Sequence, residues 1–262
     1  MDLAAIIGLV VAFGAILTAQ ILEGGSPLSI LLPAPLILVF LGSFGAALAG
    51  GVLKDGVSFF PQIKRALTAK VPPPTELVDI VVRLAERARR EGLLALEDTV
   101  KEVDDNFLKR GLQLAIDGTD PDELGEILYA EVNAKRKADQ AAERIFESMG
   151  GYAPTIGIIG TVMGLVHALE NLEDPAQLGH AIAGAFVATL WGVMSANAIW
   201  LPLASRLRRI SELECEQMEL AIEGVLAIQA GANPRLIAQK LRSLLPPDVA
   251  QGSEAKSTKK AA

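Results

Sequence analysis

The chain is poor in the residues that usually carry chemistry. Among its 262 residues there is one cysteine, Cys215, and there are two histidines. A single cysteine excludes a disulfide framework within the chain, and no CxxC motif or Cys/His cluster points to a metal. There is no excess of basic charge either: the formal net charge is −7. Nucleic-acid binders normally show a basic excess or stripe, so a nucleic-acid partner is not expected. Catalytic fingerprints are also missing. No P-loop, GxSxG or HExxH occurs, and no pair of carboxylates is placed for acid–base work, so an enzyme is not expected. Gly157, Gly160 and Gly164 do not form a phosphate-binding fingerprint, because they sit inside an apolar run that follows no strand. No segment shows the period-two alternation of a half-buried strand.

What the chain does have is apolar length. Hydrophobic residues make up 51% of it, and they are concentrated in long charge-free runs around a densely charged middle. A bilayer core of about 30 Å needs about twenty helical residues. Four segments approach that length: residues 3–22, 28–53, 153–169 and 181–203. The first begins with the acidic Asp2 and is longer than the core of a secretory signal, so it reads as a retained transmembrane helix.

The flanking charges orient these segments. Lys54, Lys64, Arg65 and Lys70 follow the second, Lys135, Arg136, Lys137 and Arg144 precede the third, and Arg206, Arg208 and Arg209 follow the fourth. The other two connections are short and acidic, at Glu23 and at residues 170–174. Basic residues gather on the cytoplasmic side. Four crossings of the inner membrane with both termini in the cytoplasm satisfy every flank.

Between the second and third crossings the pattern is helical. Phe59, Phe60, Ile63 and Leu67, mixed with Lys64 and Arg65, predict a short helix along the membrane surface. Pro72, Pro73 and Pro74 break the chain. Thr75 is the expected N-cap of a helix carrying Leu77, Ile80, Val81, Leu84 and Ala88 on one face, and Gly92 ends it. A second helix is expected from Leu96 to Ala115, ended by Asp117 and Gly118. A third starts at Asp120 with Pro121 in its first turn and runs towards the third crossing, broken at Gly150 and Gly151. After the fourth crossing, Leu207, Ile210, Leu213, Met218, Ile222 and Leu226 predict a continuing helix, and Asn233–Pro234 caps a last one reaching Leu245. The fold class is therefore an all-α membrane protein: four transmembrane helices, a helical cytoplasmic domain between the second and third, and a cytoplasmic C-terminal helix. The expected division is 1–53 for the first two crossings, 54–150 for the cytoplasmic domain, 151–205 for the last two crossings, 206–246 for the C-terminal helices and 247–262 for a disordered tail.

The third and fourth segments carry small residues at helical spacing: Gly157, Gly160 and Gly164 in one, Gly184, Ala188, Gly192 and Ala196 in the other. Such faces let helix backbones approach closely in lipid. Pairing within the chain explains either stripe alone; both together favour a packing surface shared with a partner. No carboxylate lies deep in any of the four segments, although carriers of protons or cations normally need one. His167 lies near the rim. A partner helix is therefore expected to supply the acid, with the hydroxyls of Thr161 and Thr189 as oxygen ligands; the alternative for each threonine is a bond back to its own helix. Pro154 and Pro202 sit at the cytoplasmic ends of the third and fourth segments, as punctuation or as hinges.

Three stretches carry a family resemblance. Residues 153–166 (APTIGIIGTVMGLV) resemble the third membrane helix of the MotA/PomA stator family, and residues 188–192 (ATLWG), continuing through Ala196 and Asn197 to Pro202, resemble its fourth. Residues 89–97 (RREGLLALE) resemble the cytoplasmic stretch that meets the rotor, and the likeness covers about residues 6–245. The resemblance implies a ring of five such chains around a dimer of MotB-like single-pass subunits, each of which carries the ion-binding aspartate. Ion passage turns the ring against the rotor protein FliG. By position, Arg89 and Glu97 are then rotor-facing charges with Arg90 as a helper, Pro154 and Pro202 are coupling prolines, and Thr161 and Thr189 line the path of a proton or a transient sodium ion, with no bound cofactor. Charged helical positions such as Arg89 and Glu97 are otherwise simply solvated. TolQ and ExbB energisers of the outer membrane are similar in the third and fourth segments but have a single crossing before the soluble domain, whereas two precede it here.

Overall fold

The computed structural model describes residues 4–170, 175–247 and 249, and every described element is helical. In chain order the helices are α1 (Ala4–Leu22), α2 (Pro33–Ala49), α3 (Leu53–Val57), α4 (Phe59–Thr68), α5 (Pro74–Glu91), α6 (Glu97–Lys101), α7 (Asn106–Ile116), α8 (Pro121–Glu170), α9 (Pro175–Ser195), α10 (Leu201–Gln229) and α11 (Pro234–Ser243). Short 3₁₀ turns lie at Pro27–Ile30 and Leu93–Leu96, and five residues of π-helix, Ala196–Trp200, join α9 to α10.

Local chemistry explains most boundaries. Asp105 starts α7 by accepting hydrogen bonds from the amides of Phe107 at 2.8 Å and Leu108 at 2.9 Å. Asp120 caps α8 through the Asp122 amide at 2.9 Å, with Pro121 in the first turn. Asn233 caps α11 through the Arg235 amide at 3.0 Å. Gly92 and Gly118 follow the ends of α5 and α7 with φ of 88° and 84°, a region costly for any residue with a Cβ.

Several expectations are corrected. The second apolar segment is not one helix from residue 28: prolines at 33 and 35 delay its start to Pro33, where proline suits the first turn. The same preference puts Pro74 at the start of α5, so Thr75 lies inside the helix rather than capping it. The helix expected over Leu96–Ala115 is two, because Asp105 offers its carboxylate to the amides of a new start. Gly150 and Gly151 do not interrupt α8. A glycine costs a helix only about 1 kcal/mol relative to alanine. At Gly150 its bareness has a use, since a Cβ there would lie 2.6 Å from Leu201 Cδ2. The last helix ends at Ser243 rather than Leu245. Leu3, residues 171–174 and nearly all of the expected tail lie outside the described residues.

The chain packs as two compact units. One comprises residues 1–70 and 138–210, the other 71–137 and 211–262. In the second unit, Val81 and Leu84 of α5, Leu96 of the second 3₁₀ turn, Val100 of α6, Leu108 and Leu112 of α7, Leu124 and Leu128 of α8, Ile222 and Val225 of α10, and Ile237 and Leu241 of α11 form one aliphatic core. The first unit instead gathers most of the chain's few aromatic rings: Phe59 stacks on Phe146 at 5.1 Å, and Phe40 meets both Trp191 and Trp200 at 5.7 Å.

Among the described residues two helices are long and apolar enough to cross a membrane, one within Pro121–Glu170 and one within Leu178–Gln229, and shorter apolar helices cover Ile6–Leu22 and Pro33–Ala49. Only 22% and 39% of the most apolar stretches of the two long helices are covered by the chain itself. That distinguishes them from the buried core helices of a water-soluble protein, whose apolar faces are largely enclosed.

Candidate functional site

The first unit brings α8 and α9 together through their smallest residues. A Cβ on Gly157 would lie 2.8 Å from the Ala188 carbonyl oxygen and 3.1 Å from Gly192 Cα. One on Gly192 would lie 2.7 Å from the Ala153 carbonyl oxygen and 3.3 Å from Pro154 Cα. At Gly160 the obstructing atoms are Ala188 Cβ and Leu38 Cδ2, both at 2.7 Å, and at Gly164 the nearest is Ala185 Cβ at 2.8 Å. Most of these obstacles are backbone or Cβ atoms, which cannot swing aside. The stripes at Gly157, Gly160, Gly164, Ala188 and Gly192 therefore close on each other within one chain; their neighbour is this chain's own backbone, not an open face. Gly184 is looser, with Leu32 Cδ1 at 3.9 Å, and Ala196 is buried in the π-helical turn.

This close approach sets up a small polar centre. Thr161 lies on α8 and Thr189 on α9, and their hydroxyls are hydrogen-bonded to each other. Thr161 also reaches the Ala185 carbonyl at 3.0 Å and the Gly157 carbonyl of its own helix at 3.2 Å, while Thr189 reaches the Gly157 carbonyl at 3.4 Å. Ala185 stands four residues before Thr189, and Gly157 four residues before Thr161. Each threonine thus reaches the carbonyl that would ordinarily take the back-bond of the other. Two hydroxyl protons serve four oxygens, so lone pairs remain, and the centre is electron-rich without holding a formal charge. A hard cation prefers such oxygens as partial replacements for water. Among the described residues no carboxylate lies beside it, and no group of His, Cys, Asp or Glu is arranged to hold a metal.

Residues around this centre are held by contacts that the sequence did not disclose. The Trp191 indole donates to the Ile30 carbonyl at 2.6 Å, tying α9 to the turn before α2. Three acidic residues of α8, four apart, meet arginines from other helices. Arg65 of α4 holds Asp139 by two bonds of 2.6 and 3.1 Å. Arg208 of α10 binds Glu143, only 5% exposed, through its Nε at 2.6 Å, and comes within 3.7 Å of Glu147. The i, i+4, i+8 spacing of Asp139, Glu143 and Glu147 was the readable signal for that face. Pro154 lies inside α8 against Gly192, whereas Pro202 is exposed near the start of α10.

In the second unit, Arg89 and Arg90 occupy the last turn of α5 and Glu97 opens α6, all exposed. Neither Arg89 nor Glu97 has an ion-pair partner among the described residues, while Arg90 reaches the Glu86 carbonyl at 3.4 Å. Next to Glu97, Asp98 is occupied: Lys101, hydrogen-bonded at 2.9 Å, holds the Asp98 carboxyl below its ordinary range. An open cleft of about 980 Å³ adjoins this corner, lined among others by Arg87, Arg90, Thr99, Glu102 and Asp104. The two candidate sites thus lie in different units.

Comparison with known proteins places these features in a group. A model of the MotA/TolQ/ExbB proton channel family matches residues 99–220. Motility protein A of Bacillus subtilis is 39% identical over 248 residues, covering 94% of this chain and 92% of the relative. Chemotaxis protein PomA of Vibrio alginolyticus is 32% identical over 249 residues, covering 94% and 96%. Among solved structures, the flagellar MotAB stator complex from Bacillus subtilis superposes with a TM-score of 0.87 at 36% identity, covering 94% of this chain and 98% of that one. The MotAB structure of C. jejuni superposes with a TM-score of 0.90 at 29% identity, covering 95% and 97%.

Proposed function

The chain belongs to the MotA/TolQ/ExbB proton channel family, and on that premise we propose how it works as a membrane-embedded stator subunit of the flagellar motor. It is an ion-channel subunit for motility and not an enzyme, and its partner is a MotB-type subunit, as in the matching complexes. The TolQ/ExbB alternative is less supported, because motility proteins match along nearly the whole chain.

In this reading four segments cross the inner membrane, residues 3–22, 28–53, 153–169 and 181–203, with both termini in the cytoplasm. Residues 54–150 and 206–246 form the cytoplasmic part. Five copies surround two single-pass partners, and each partner brings an aspartate opposite the Thr161–Thr189 centre. One observation carries the proposal: an oxygen cluster on a glycine-packed pair of apolar helices, with no acid of its own. Hydroxyls and carbonyls stabilise a cation but cannot take up and release a proton near neutral pH, so transport needs a carboxylate from elsewhere. A proton requires only that carboxylate, whereas sodium also uses the oxygens of Thr161 and Thr189. Pro154 and Pro202 lie where α8 and α10 leave the membrane. They act as hinges, each removing one backbone donor. Arg89 and Glu97, helped by Arg90, face the rotor protein FliG with unpaired charges of both signs, an arrangement that steers encounter more than it adds affinity.

Co-expression with a MotB-type single-pass protein in cells lacking stators tests this. Ion flux and swimming should require both chains and should vanish when the partner's intramembrane aspartate becomes asparagine. Selective cation flux through this chain alone would refute the reading. Swimming that persists when sodium is removed at constant proton-motive force would assign the proton.

A further inference from the structure

We propose that Arg87 is a positioning residue for the rotor-facing charges, acting through Glu91 and Thr99; this rests on the reading of Arg89, Arg90 and Glu97 given above. These three residues lie on two helices that meet at a corner. α5 ends at Glu91, Gly92 turns the chain with φ 88° and ψ 162°, a 3₁₀ turn covers Leu93–Leu96, and α6 begins at Glu97. The direction in which Glu97 points relative to Arg89 therefore depends on the angle of that corner.

α6 has five residues, too few to be stable alone, so outside contacts must fix its direction. Two kinds are present. Leu96 and Val100 are fully buried in the aliphatic core that includes Leu84. Burial of this kind is non-directional: it holds α6 close to α5 but leaves rotation weakly constrained. The directional contact is polar. The Arg87 guanidinium donates from Nε to the Glu91 carboxylate at 3.1 Å and from a terminal nitrogen to the Thr99 hydroxyl, twelve residues along the chain. Among the described residues, no other side-chain hydrogen bond joins α5 to α6. A guanidinium is planar and its donors are fixed relative to one another, so engaging both partners sets an angle; a lysine ammonium has no such fork. Arg89 has no ion-pair partner among the described residues and stays available to another protein.

The test uses the full chain with its single-pass partner in cells lacking stators. Membrane amounts are measured by immunoblot and torque by the rotation of tethered beads. Arg87→Lys and Thr99→Val should each lower torque roughly three- to tenfold, the scale of one directional hydrogen bond, with membrane amounts unchanged. The two changes combined should cost no more than either alone, and Thr99→Ser, which keeps the hydroxyl, should retain torque. Normal torque in both Arg87→Lys and Thr99→Val, in a system where Arg89→Glu is impaired, would overturn the positioning role and leave the rotor interface standing. Equal loss in Thr99→Ser and Thr99→Val, or reduced membrane amounts in both Arg87→Lys and Thr99→Val, would also overturn it. If Arg89→Glu and Glu97→Lys swim normally, the interface reading itself fails and this inference falls with it.

Discussion

The two units of this protein pack by opposite means. In the unit holding the apolar helices, α8 and α9 approach through glycines and alanines, and what meets is largely backbone. In the other unit, Leu108, Leu112, Leu124 and Leu128 interdigitate as large fully buried side chains. On the proposed placement of the first unit in lipid and the second in water, the difference follows from the solvent. In water, burying aliphatic area is itself the driving force, at about 25 cal/mol per Å². In lipid there is no such gain between helices, so close van der Waals contact and hydrogen bonds must do the work. Small residues allow that contact, and at Thr161 and Thr189 they also bring two hydroxyls and two carbonyls within reach of each other.

The contrast can be broken where it is sharpest. Gly192→Leu would drive a side chain against the Ala153 carbonyl and Gly157 Cα, which cannot yield; about 3 kcal/mol of overpacking is expected, with motility abolished and the protein depleted from membranes. Normal membrane amounts with the partner still co-purifying would show that the α8–α9 contact is not close-packed. Leu128→Ala in the aliphatic core should cost about 3 kcal/mol by leaving a cavity, a loss that appears as a lower thermal midpoint. A shift below 1 °C would mean that the site collapses without a void. Thr161→Val keeps shape and removes one hydroxyl, for about 1 kcal/mol, because Thr189 can still donate to the Gly157 carbonyl. Membrane amounts should be near normal while ion-driven swimming falls; unchanged swimming in both sodium and its absence would remove Thr161 from the ion path. Arg89→Glu, at an exposed position without a partner, should change stability by less than about 0.5 kcal/mol and still weaken motility. Partial recovery on adding Glu97→Lys would sharpen the electrostatic account.

Much of the fold was legible because its signals are local. The cap at Asn233, the start of α8 at Pro121 and the stop at Gly92 each depend on a few adjacent residues. Errors arose where neighbouring signals competed. Three consecutive prolines concealed which one opens α5. Two glycines looked like a break in α8, although a glycine beside Leu201 serves close approach instead. The candidate site was half legible. Thr161, Thr189 and the small-residue stripes stood out as residue types in unusual places, but a stripe does not say what it faces. The Trp191–Ile30 bond and the Arg87–Thr99 bond were invisible, since each joins positions related only by folding.

The sequence by itself determined that the protein is helical, that its apolar lengths suit a bilayer, and that no acid lies within them. These are properties of composition and spacing, which residues carry wherever the chain goes. Tertiary structure alone decided that the glycine faces close on each other, that the two threonines exchange carbonyls across α8 and α9, and that a guanidinium bridges the corner between Arg89 and Glu97. Such contacts depend on distance and direction between helices, and a linear order of residues does not contain either.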